Sequence, residues 1–320
     1  MVDLHLTILG CGSAKPTMRH HTSSQIVSRL GTLYMIDCGE GTQRQFHKFG
    51  FHEGQLENIF ISHGHGDHCL GLIGLLSSMS LNSRYKTLNI YIPADFEQML
   101  KAQIDYFIPH IDYGIYIHPI DCQEPTLIHA DKHFEVTAFP LCHRVPCYGF
   151  LFRERQGKRH IKPEAIQTYN IPYPEIEFIQ GGRDYTTADG KVIPNEELTT
   201  PPVLTRSYAY LSDTRPMMEY IELLQDVDLL YHDATYCEGD EQLAFQYDHS
   251  TASQAAEFAQ KCNVGKLMLG HYSSRYNGGE DWMLELAIKH FPHIILADEG
   301  LNVKIVDKTM DGTTFVEWRG

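Results

Sequence analysis

The chain has 320 residues, of which 42% are hydrophobic and 21% are charged, a composition typical of a folded globular protein. Its 26 Lys and Arg residues stand against 41 Asp and Glu residues, which gives a net charge of −15. That balance argues against nucleic-acid binding through a general basic surface. Any polyanionic partner must instead be held locally, by a metal ion or by a small basic patch.

Neither a leader peptide nor a membrane span is predicted. The first residues, MVDLHLTILGCG, place an aspartate where a signal peptide carries positive charge. The longest apolar stretch, residues 70–81, is shorter than the roughly 20 residues that a membrane span requires. The eight cysteines include no CxxC pair, which is typical of reduced thiols. We therefore expect a cytoplasmic protein that does not enter a membrane.

Short β-rich runs alternate with helical segments along the chain, which indicates an α/β protein whose sheets are covered by helices. Strands are predicted at residues 4–9, 32–37, 58–62, 88–93, 133–141, 148–152, 207–212, 228–232, 266–270 and 302–306. Helices are predicted at residues 71–79, 95–107, 217–225, 251–262 and 281–291. Thr251 and Gln254 have the spacing of a capping box and predict the start of the fourth helix.

One segment, residues 153–202, breaks this alternation. It has little apolar periodicity and several prolines, so it is interpreted as a long loop, of the kind that is usually functional or mobile. Its opening, RERQGKRHIK, contains five basic residues against one acidic residue in an otherwise acidic chain. This opening is either a local anion-binding patch or a solvated hairpin, and the sequence leaves both interpretations open.

Five predicted strands end in a histidine or an aspartate. The residues at these ends are His63, His143, Asp213, the pair His232 and Asp233, and His271. Ligands of α/β sheets bind beyond the carboxyl ends of the strands, so these side chains are predicted to converge on one site. An isolated histidine at a strand end is more often a structural residue, but five such strands are hard to ascribe to chance.

The stretch ISHGHGDHCLGL (61–72) concentrates four potential metal ligands in one turn. His63 and His65 can bind one cation while Asp67 and His68 reach a second. Imidazole and carboxylate together suit zinc, and hydrolytic zinc sites keep one coordination position open for water. Since no cysteine pair has the spacing of a structural zinc site, the pattern favours catalysis.

Several motifs beyond this turn carry a family resemblance. They are LGCGSAKPTMRHHTSS (9–24), MIDCGEGTQ (35–43), CHRVPCYGF (142–150), LSDTR (211–215), YHDAT (231–235), DHST (248–251) and GHYSSRY (270–276). With the histidine turn they resemble the metallo-β-lactamase superfamily and, more narrowly, the ribonuclease Z family of tRNA 3′-processing endonucleases. The resemblance implies a four-layer αβ/βα sandwich, with residues 1–320 as one catalytic domain. It also implies a protruding arm inserted at about residues 153–202.

The resemblance also implies roles for individual residues. It assigns His63, His65 and His143 to a first zinc ion, Asp67, His68 and His271 to a second, and Asp213 to a bridge between them. Asp67 is expected to orient the attacking water and accept its proton, and His249 to act as a proton donor, with His232 and Asp233 in support. Substrate contacts are expected from Arg275, Arg153, Arg155, Lys158 and Arg159, although Arg275 is equally interpretable as a plain surface residue.

Three classes of function remain open at this point. The favoured one is a zinc-dependent endoribonuclease with two Zn²⁺ per chain that removes the 3′ trailer from precursor tRNA and leaves a 3′-hydroxyl. The alternative is a hydrolase of the same fold acting on a small phosphodiester such as a cyclic nucleotide, and the third is a non-catalytic zinc protein. The resemblance further implies a homodimer. The segment NIPYPEIEF (170–178) departs from the family's glycine–proline turn, so tRNA binding by the arm is less secure than the metal site.

Overall fold

The fold is that of a computed structural model describing residues 4–305 except 83, 156, 203, 204, 277 and 279, and the backbone of residues 316–319. The chain divides into two compact units, Met1–Arg153 with Arg206–Gly320, and Glu154–Thr205. Within the described residues, no helix combines the length and apolar character needed to cross a membrane.

The bounds of the strands and helices are as follows. The strands are β1 Leu4–Gly10, β2 Ser24–Arg29, β3 Thr32–Ile36, β4 Leu56–Phe60, β5 Leu88–Pro93, β6 Ile115–Ile120, β7 Thr126–Ala130, β8 Phe134–Pro140, β9 Tyr148–Glu154, β10 His160–Ile161, β11 Tyr185–Thr186, β12 Val192–Ile193, β13 Thr199–Thr200, β14 Ser207–Leu211, β15 Leu229–Asp233, β16 Lys266–Gly270, β17 Ile294–Leu296, β18 Asn302–Ile305 and β19 Val316–Arg319. The α-helices are α1 Thr42–Lys48, α2 Gly66–Cys69, α3 Leu72–Leu81, α4 Glu97–Phe107, α5 Pro163–Thr168, α6 Tyr173–Gln180, α7 Asn195–Leu198, α8 Glu241–Gln246, α9 Ala252–Lys261 and α10 Glu280–Ala287.

Two large mixed sheets form the frame of the first unit. The first has the strand order β19-β18-β1-β2-β3-β4-β5-β6, and the second has the order β17-β16-β15-β14-β9-β8-β7. Strands β3 to β6 run parallel in the first sheet, and β14 to β17 run parallel in the second. The carboxyl ends of β4, β14, β15 and β16 therefore carry the histidines and aspartates that the sequence analysis singled out.

The two sheets pack face to face over an aromatic core. Phe60 and Tyr34 of the first sheet contact Phe152 of the second with ring centroids 5.3 and 6.4 Å apart. A second core lies on the other face of the first sheet, where α3 and α4 bury Leu75 and Leu100. Helices α9 and α10 cover the second sheet, so the first unit has four layers and the predicted αβ/βα sandwich is confirmed.

The predicted helix at residues 217–225 is wrong. The segment contains only a 3₁₀ turn, Met218–Tyr220, followed by further turns. Its apolar side chains Met217 and Leu224 are buried, but the segment buries them without forming a continuous helix. Pro216 precedes the segment and Asp226, whose φ is +58°, follows it, so little length is left for a helix. The predicted capping box, by contrast, is confirmed, since Thr251 and Gln254 bond to each other's backbone at the start of α9.

The second unit is folded, which corrects the interpretation of residues 153–202 as a loop. It contains α5, α6 and α7, and the short strand pairs β10–β13 and β11–β12. These elements enclose a small core that includes Ile179, Ile193 and Leu198. Buried Asn195 donates its side-chain amide to the carbonyl oxygens of Ile179 and Arg183, at 2.7 and 2.8 Å. The elements are too short for apolar periodicity to reveal them in the sequence.

Candidate functional site

The histidine turn leaves the end of β4 and enters the short helix α2. The chain packs so closely here that a Cβ atom at Gly71 would lie 2.1 Å from the carbonyl oxygen of Gly39, so only glycine fits. In the turn that precedes this close contact, His63 Nε2 lies 2.9 Å from His65 Nδ1. The two imidazoles therefore point at one location, as the spacing of the sequence predicted.

Four side chains converge on this location and form what we call the first cradle, consisting of His63, His65, His143 and Asp213. His143 Nε2 lies 3.2 Å from His65 Nδ1. Asp213 Oδ1 lies 3.8 Å from His63 Nε2 and 4.0 Å from His143 Nε2. Ligand atoms around a tetrahedral zinc ion are separated by roughly 3.3 Å, so the spacing of the first cradle suits such an ion.

The second cradle lies on the other side of Asp213 and consists of Asp67, His68, His271 and Asp213. Asp213 Oδ2 lies 3.0 Å from His68 Nε2 and 3.2 Å from His271 Nε2. Asp67 Oδ2 is 3.5 Å from each of the same two nitrogens. Asp213 thus offers one carboxylate oxygen to each cradle, which is the arrangement of a bridging ligand.

Left-handed backbone conformations accompany the residues that leave the strand ends. Asp37, Asp213 and His271 have φ angles of +56°, +54° and +63°. This conformation is uncommon for residues other than glycine and is concentrated at functional sites. Each of the three residues thus leaves the extended conformation at or just beyond the end of its strand, β3, β14 or β16.

The electrostatics of the cluster favour positive charge at its centre. Burial opposes ionisation of Asp213, but the imidazoles of His271, His68 and His63 outweigh it and hold the pKa of this carboxyl well below its usual range. Burial would likewise lower the pKa of His271, yet Asp213 and its neighbours raise that pKa to about 10. Burial dominates for His63, whose pKa is lowered, and this keeps its imidazole neutral, as a metal ligand requires.

Within the ranges that the structure describes, two imidazole nitrogens of the second cradle lack hydrogen-bond partners, which also indicates that the site is built for a cation. His68 Nε2 and His271 Nε2 are buried, and neither has a hydrogen-bond partner among the residues that the structure describes. Buried imidazole nitrogens rarely lack a partner, and both of these face the carboxylates of the second cradle. The two cradles therefore fit two metal ions, with nitrogen and oxygen donors of the kind that zinc prefers.

A buried carboxylate, Asp37, holds the second cradle in place. Asp37 Oδ2 accepts hydrogen bonds from His68 Nδ1 at 2.7 Å and from the Tyr210 hydroxyl at 2.6 Å. Its other oxygen accepts the Ser62 backbone N–H at 2.7 Å. Because His68 Nδ1 bonds to Asp37, His68 Nε2 faces the cradle. Carboxylates that bond to one ring nitrogen commonly orient metal-binding imidazoles in this way.

His249 lies beside the cradles and is held by Asp233. Its Nδ1 is 2.7 Å from Asp233 Oδ2, and its ring centroid is 5.5 Å from that of His271. Burial alone would lower the pKa of His249, but the Asp233 carboxylate outweighs it and raises the pKa. His232, predicted to support the site, points elsewhere: its Nδ1 bonds to the carbonyl oxygen of Asp233 and its ring packs on Phe258 of α9.

The predicted substrate contacts are more dispersed. Arg275 lies exposed on the 3₁₀ turn Ser274–Tyr276. Arg153 donates to the carbonyl oxygen of Leu223 at 2.9 Å. In the second unit, Arg155 and Lys158 are exposed, Lys158 pairs with Glu177, and Arg159 donates to Thr199. Their role in substrate binding stays a prediction.

The sequence analysis missed several residues that position the site. Thr235 Oγ1 lies 2.8 Å from His271 Nδ1, and the motif YHDAT that contains it was the available signal. A second group consists of Arg215, Asp248 and Cys142, which precede or follow site residues in sequence, and Arg215 contacts Asp248 and Cys142 at 3.1 and 2.7 Å. Each of these residues lies within one of the motifs quoted above, but their contacts with one another depend on tertiary structure that no spacing reveals.

Comparisons with known proteins agree with this fold. A family model described as "Anti-Pycsar protein Apyc1" matches residues 4–161. A solved structure of human tRNase Z, short form, superposes with a TM-score of 0.66 and 25% sequence identity, covering 93% of this chain and 98% of that chain. The metallo-β-lactamase fold protein YhfI from Bacillus subtilis gives a TM-score of 0.67 at 18% identity, over 95% of this chain and all of that one.

The fold and the paired cradles together define a metallo-β-lactamase fold protein. Ribonuclease Z from Porphyromonas gingivalis W83 is 45% identical over 305 residues, 95% of this chain and 100% of the relative. Ribonuclease Z from Bacteroides thetaiotaomicron is 41% identical over 309 residues, 97% of this chain and 98% of the relative. The chain belongs to the ribonuclease Z family of hydrolytic endoribonucleases. The resemblance drawn from the motifs, and with it the prediction of a hydrolytic enzyme, is confirmed.

Proposed function

We propose that this chain is a zinc-dependent endoribonuclease that removes the 3′ trailer from precursor tRNA and leaves a 3′-hydroxyl. The observation that carries the proposal is the pair of cradles joined by Asp213. Their seven side chains would hold two zinc ions: His63, His65, His143, Asp67, His68, His271 and Asp213. An aspartate that presents one oxygen to each ion suits phosphodiester hydrolysis, because two adjacent metals can serve both the attacking and the leaving oxygen.

Two bound zinc ions would supply Lewis acidity, which activates a water molecule and neutralises charge on the phosphate. The remaining chemistry belongs to the chain's own side chains. Asp67, whose Oδ2 accepts the Ala14 backbone N–H at 2.7 Å, orients the attacking water and accepts its proton. The carboxylate is held with a pKa well below its usual range: burial opposes this, and the charge of His68 outweighs it.

His249 is proposed as the proton donor to the leaving 3′-oxygen. Burial opposes protonation of its imidazole, but the Asp233 carboxylate outweighs burial and raises the pKa, which favours the protonated form of a proton donor. The residue is only partly buried, so substrate can reach it. Protonation of the leaving oxygen yields the 3′-hydroxyl directly. Positioned acids of this kind contribute about 10²–10⁴-fold to the rate.

The test is incubation of the zinc-loaded protein with precursor tRNA and, separately, with a small chromogenic phosphodiester. We expect a single cut that releases the trailer and leaves a 3′-hydroxyl on the tRNA. Cleavage of the small diester without trailer removal would overturn the proposal in favour of a small-diester hydrolase. As a control, His249→Ala is expected to retain zinc while losing about 10²–10⁴-fold in trailer removal.

We also propose that the protein is a cytoplasmic homodimer. Its eight cysteines are all free, which supports a reducing compartment. The packed pair α3 and α4 exposes apolar side chains at Leu81, Met99, Tyr106 and Phe107, and such a surface suits an interface. Sedimentation of the Phe107→Glu variant should give a monomer while Ile288→Glu, similarly exposed beyond α10, stays dimeric; a wild-type monomer would contradict the dimer.

A further inference from the structure

A third group of potential metal ligands lies outside the two cradles. It consists of Cys11, which follows β1, His20, which precedes β2, and Glu299, which follows β17. Cys11 Sγ lies 3.4 Å from His20 Nδ1 and 3.7 Å from Glu299 Oε1. His20 Nδ1 lies 3.0 Å from Glu299 Oε2. Two donors that flank one loop and a third from near the end of the chain thus converge on one point, and none of them takes part in the proposed reaction.

We propose that Cys11, His20 and Glu299 form an additional binding site for a zinc-class divalent cation. The ligand separations expected around such an ion are about 3.3–3.6 Å for one sulfur, one nitrogen and one oxygen donor. The separation of 3.4 Å between Cys11 Sγ and His20 Nδ1 lies within that interval. The Glu299 carboxylate lies close to both atoms, with Oε2 3.0 Å from the nitrogen and Oε1 3.7 Å from the sulfur. Thiolate and carboxylate together neutralise a dication, so binding leaves no unbalanced charge among these side chains.

The surroundings of His20 provide a second, independent observation. Metal-binding imidazoles almost always donate their other ring N–H to a carboxylate or a carbonyl. Within the described part of the chain His20 Nε2 makes no hydrogen bond, and it faces Glu280 Oε1 at 3.4 Å. Glu280 is in turn fixed by Arg19 at 2.9 Å. If Nδ1 of His20 binds a cation, the ring proton lies on Nε2 and points toward Glu280.

Burial and access are also those of a metal site. Cys11 is fully buried, and His20 is 7% exposed. Burial and the charge of Glu299 raise the pKa of the Cys11 thiol, so binding of a cation must displace its proton. His20 also borders a cavity of about 110 Å³ whose walls include the exposed residues Arg19 and Ser274, which offers a route from the surface.

The site would stabilise a loop that touches the proposed reaction centre. Cys11 and His20 enclose residues 12–19, and within this loop the Ala14 backbone N–H donates to Asp67 Oδ2 at 2.7 Å. The carbonyl oxygen of Cys11 also accepts the backbone N–H of Tyr272, the residue after His271. A cation on the third site would therefore fix the loop that orients Asp67.

Cobalt substitution tests the site without depending on activity. The cradles contain no cysteine, so a thiolate-to-cobalt charge-transfer band can arise only where Co²⁺ binds a cysteine. We expect full-length protein titrated with Co²⁺ to develop this band, to an amplitude corresponding to one thiolate per chain. Cys11→Ser should abolish the band, and Cys262→Ser, which removes another buried cysteine at the end of α9, should leave it intact.

Zinc analysis gives the matching stoichiometry. The Cys11→Ser variant is expected to bind one equivalent less zinc than the wild type and the Cys262→Ser control. Glu280→Gln should weaken Co²⁺ binding at the thiolate about 10–100-fold, as loss of an orienting carboxylate does. Absence of the band from the wild-type protein, or its persistence in Cys11→Ser, would show that the three residues form only a hydrogen-bonded cluster. These results are separate from trailer removal, so this site and the proposed function can fail independently.

Discussion

At the scale of single residues, the site depends on side chains that touch neither metal nor substrate. Asp37 and Asp233 are fully buried carboxylates, and each fixes one nitrogen of a histidine so that the other nitrogen faces the reaction centre. Such carboxylates are costly to bury without partners, and both are matched by several donors. They decide where the imidazole nitrogens point and which proton each imidazole holds.

The first prediction concerns Asp37. Asp37→Asn removes the charge that His68 Nδ1, Ser62 and the Tyr210 hydroxyl donate to, so the orientation of His68 is weakened. We expect zinc affinity to fall about 10–100-fold, measured by competition with a chromogenic chelator. Asp131→Asn provides a matched control, because that carboxylate also accepts several hydrogen bonds but lies outside the cradles. Equal losses in the two variants would contradict a specific role for Asp37.

A second prediction concerns pH. Burial alone would raise the pKa of Asp131, but donors from His129, Tyr34 and two backbone amides outweigh it and lower the pKa below its usual range. Because the folded pKa lies below the unfolded value of about 3.9, the carboxylate stabilises the fold fully above that pH. This stabilisation is lost as the pH falls through the folded pKa.

Unfolding by urea at several pH values checks this linkage. At neutral pH, Asp131→Asn should lower the free energy of unfolding by on the order of 1–3 kcal/mol, through the loss of charged hydrogen bonds. The difference between wild type and variant should shrink below about pH 4. A difference that stays constant from pH 7 to about pH 3 would show that the charge of Asp131 contributes nothing.

At the scale of elements, the central strands of the two large sheets were easier to predict from the sequence than the strands at the sheet edges. Runs such as SYAYL of β14 are buried on both faces, and a continuous apolar run bounded by polar residues identifies such a strand. β6 and β7 lie at sheet edges and bury few side chains, so their sequences carry little apolar pattern. The helices and strands of the second unit were not predicted for a related reason, because they are short and their core is small.

The third prediction is that the second unit serves substrate binding rather than catalysis. Arg153 of β9 pairs with Ser207 of β14, so residues 155–205 can be replaced by a short Gly-Ser turn that rejoins neighbouring strands. All seven side chains of the cradles lie outside the deleted segment. We expect trailer removal to fall by at least about 100-fold while hydrolysis of a small chromogenic diester is retained.

The two activities are measured on the same preparation, with zinc content as the control for an intact site. Equal loss of both activities with zinc retained would show that the unit supports the catalytic fold rather than the substrate. Retention of both activities would show that the tRNA is bound elsewhere.

At the scale of the whole molecule, the sequence predicted the site better than it predicted the interactions that hold it. Strand ends predicted that His63, His143, Asp213 and His271 lie close together, because parallel strands bring their carboxyl ends to one edge. The turn after β4 added His65, Asp67 and His68, and the family resemblance implied that all seven side chains bind two ions. The sequence predicted that His232 and Asp233 support His249 or a metal ligand, but it could not decide which of the two faces the site; the structure places Asp233 against His249 and His232 against Phe258. Adjacent residues of a strand face opposite sides, and only the completed sandwich decides which side meets the site.

The proposed reaction depends on one arrangement of side chains. Two cations would be held by residues that follow strands of both large sheets, and Asp213 would join them. An anomalous difference map from crystals of the zinc-loaded protein, recorded at the zinc absorption edge, tests it most directly. The account predicts one peak bounded by His63, His65 and His143, and a second, about 3.5–4 Å away, bounded by Asp67, His68 and His271. A map with a single peak there, or with none between these residues, would contradict it.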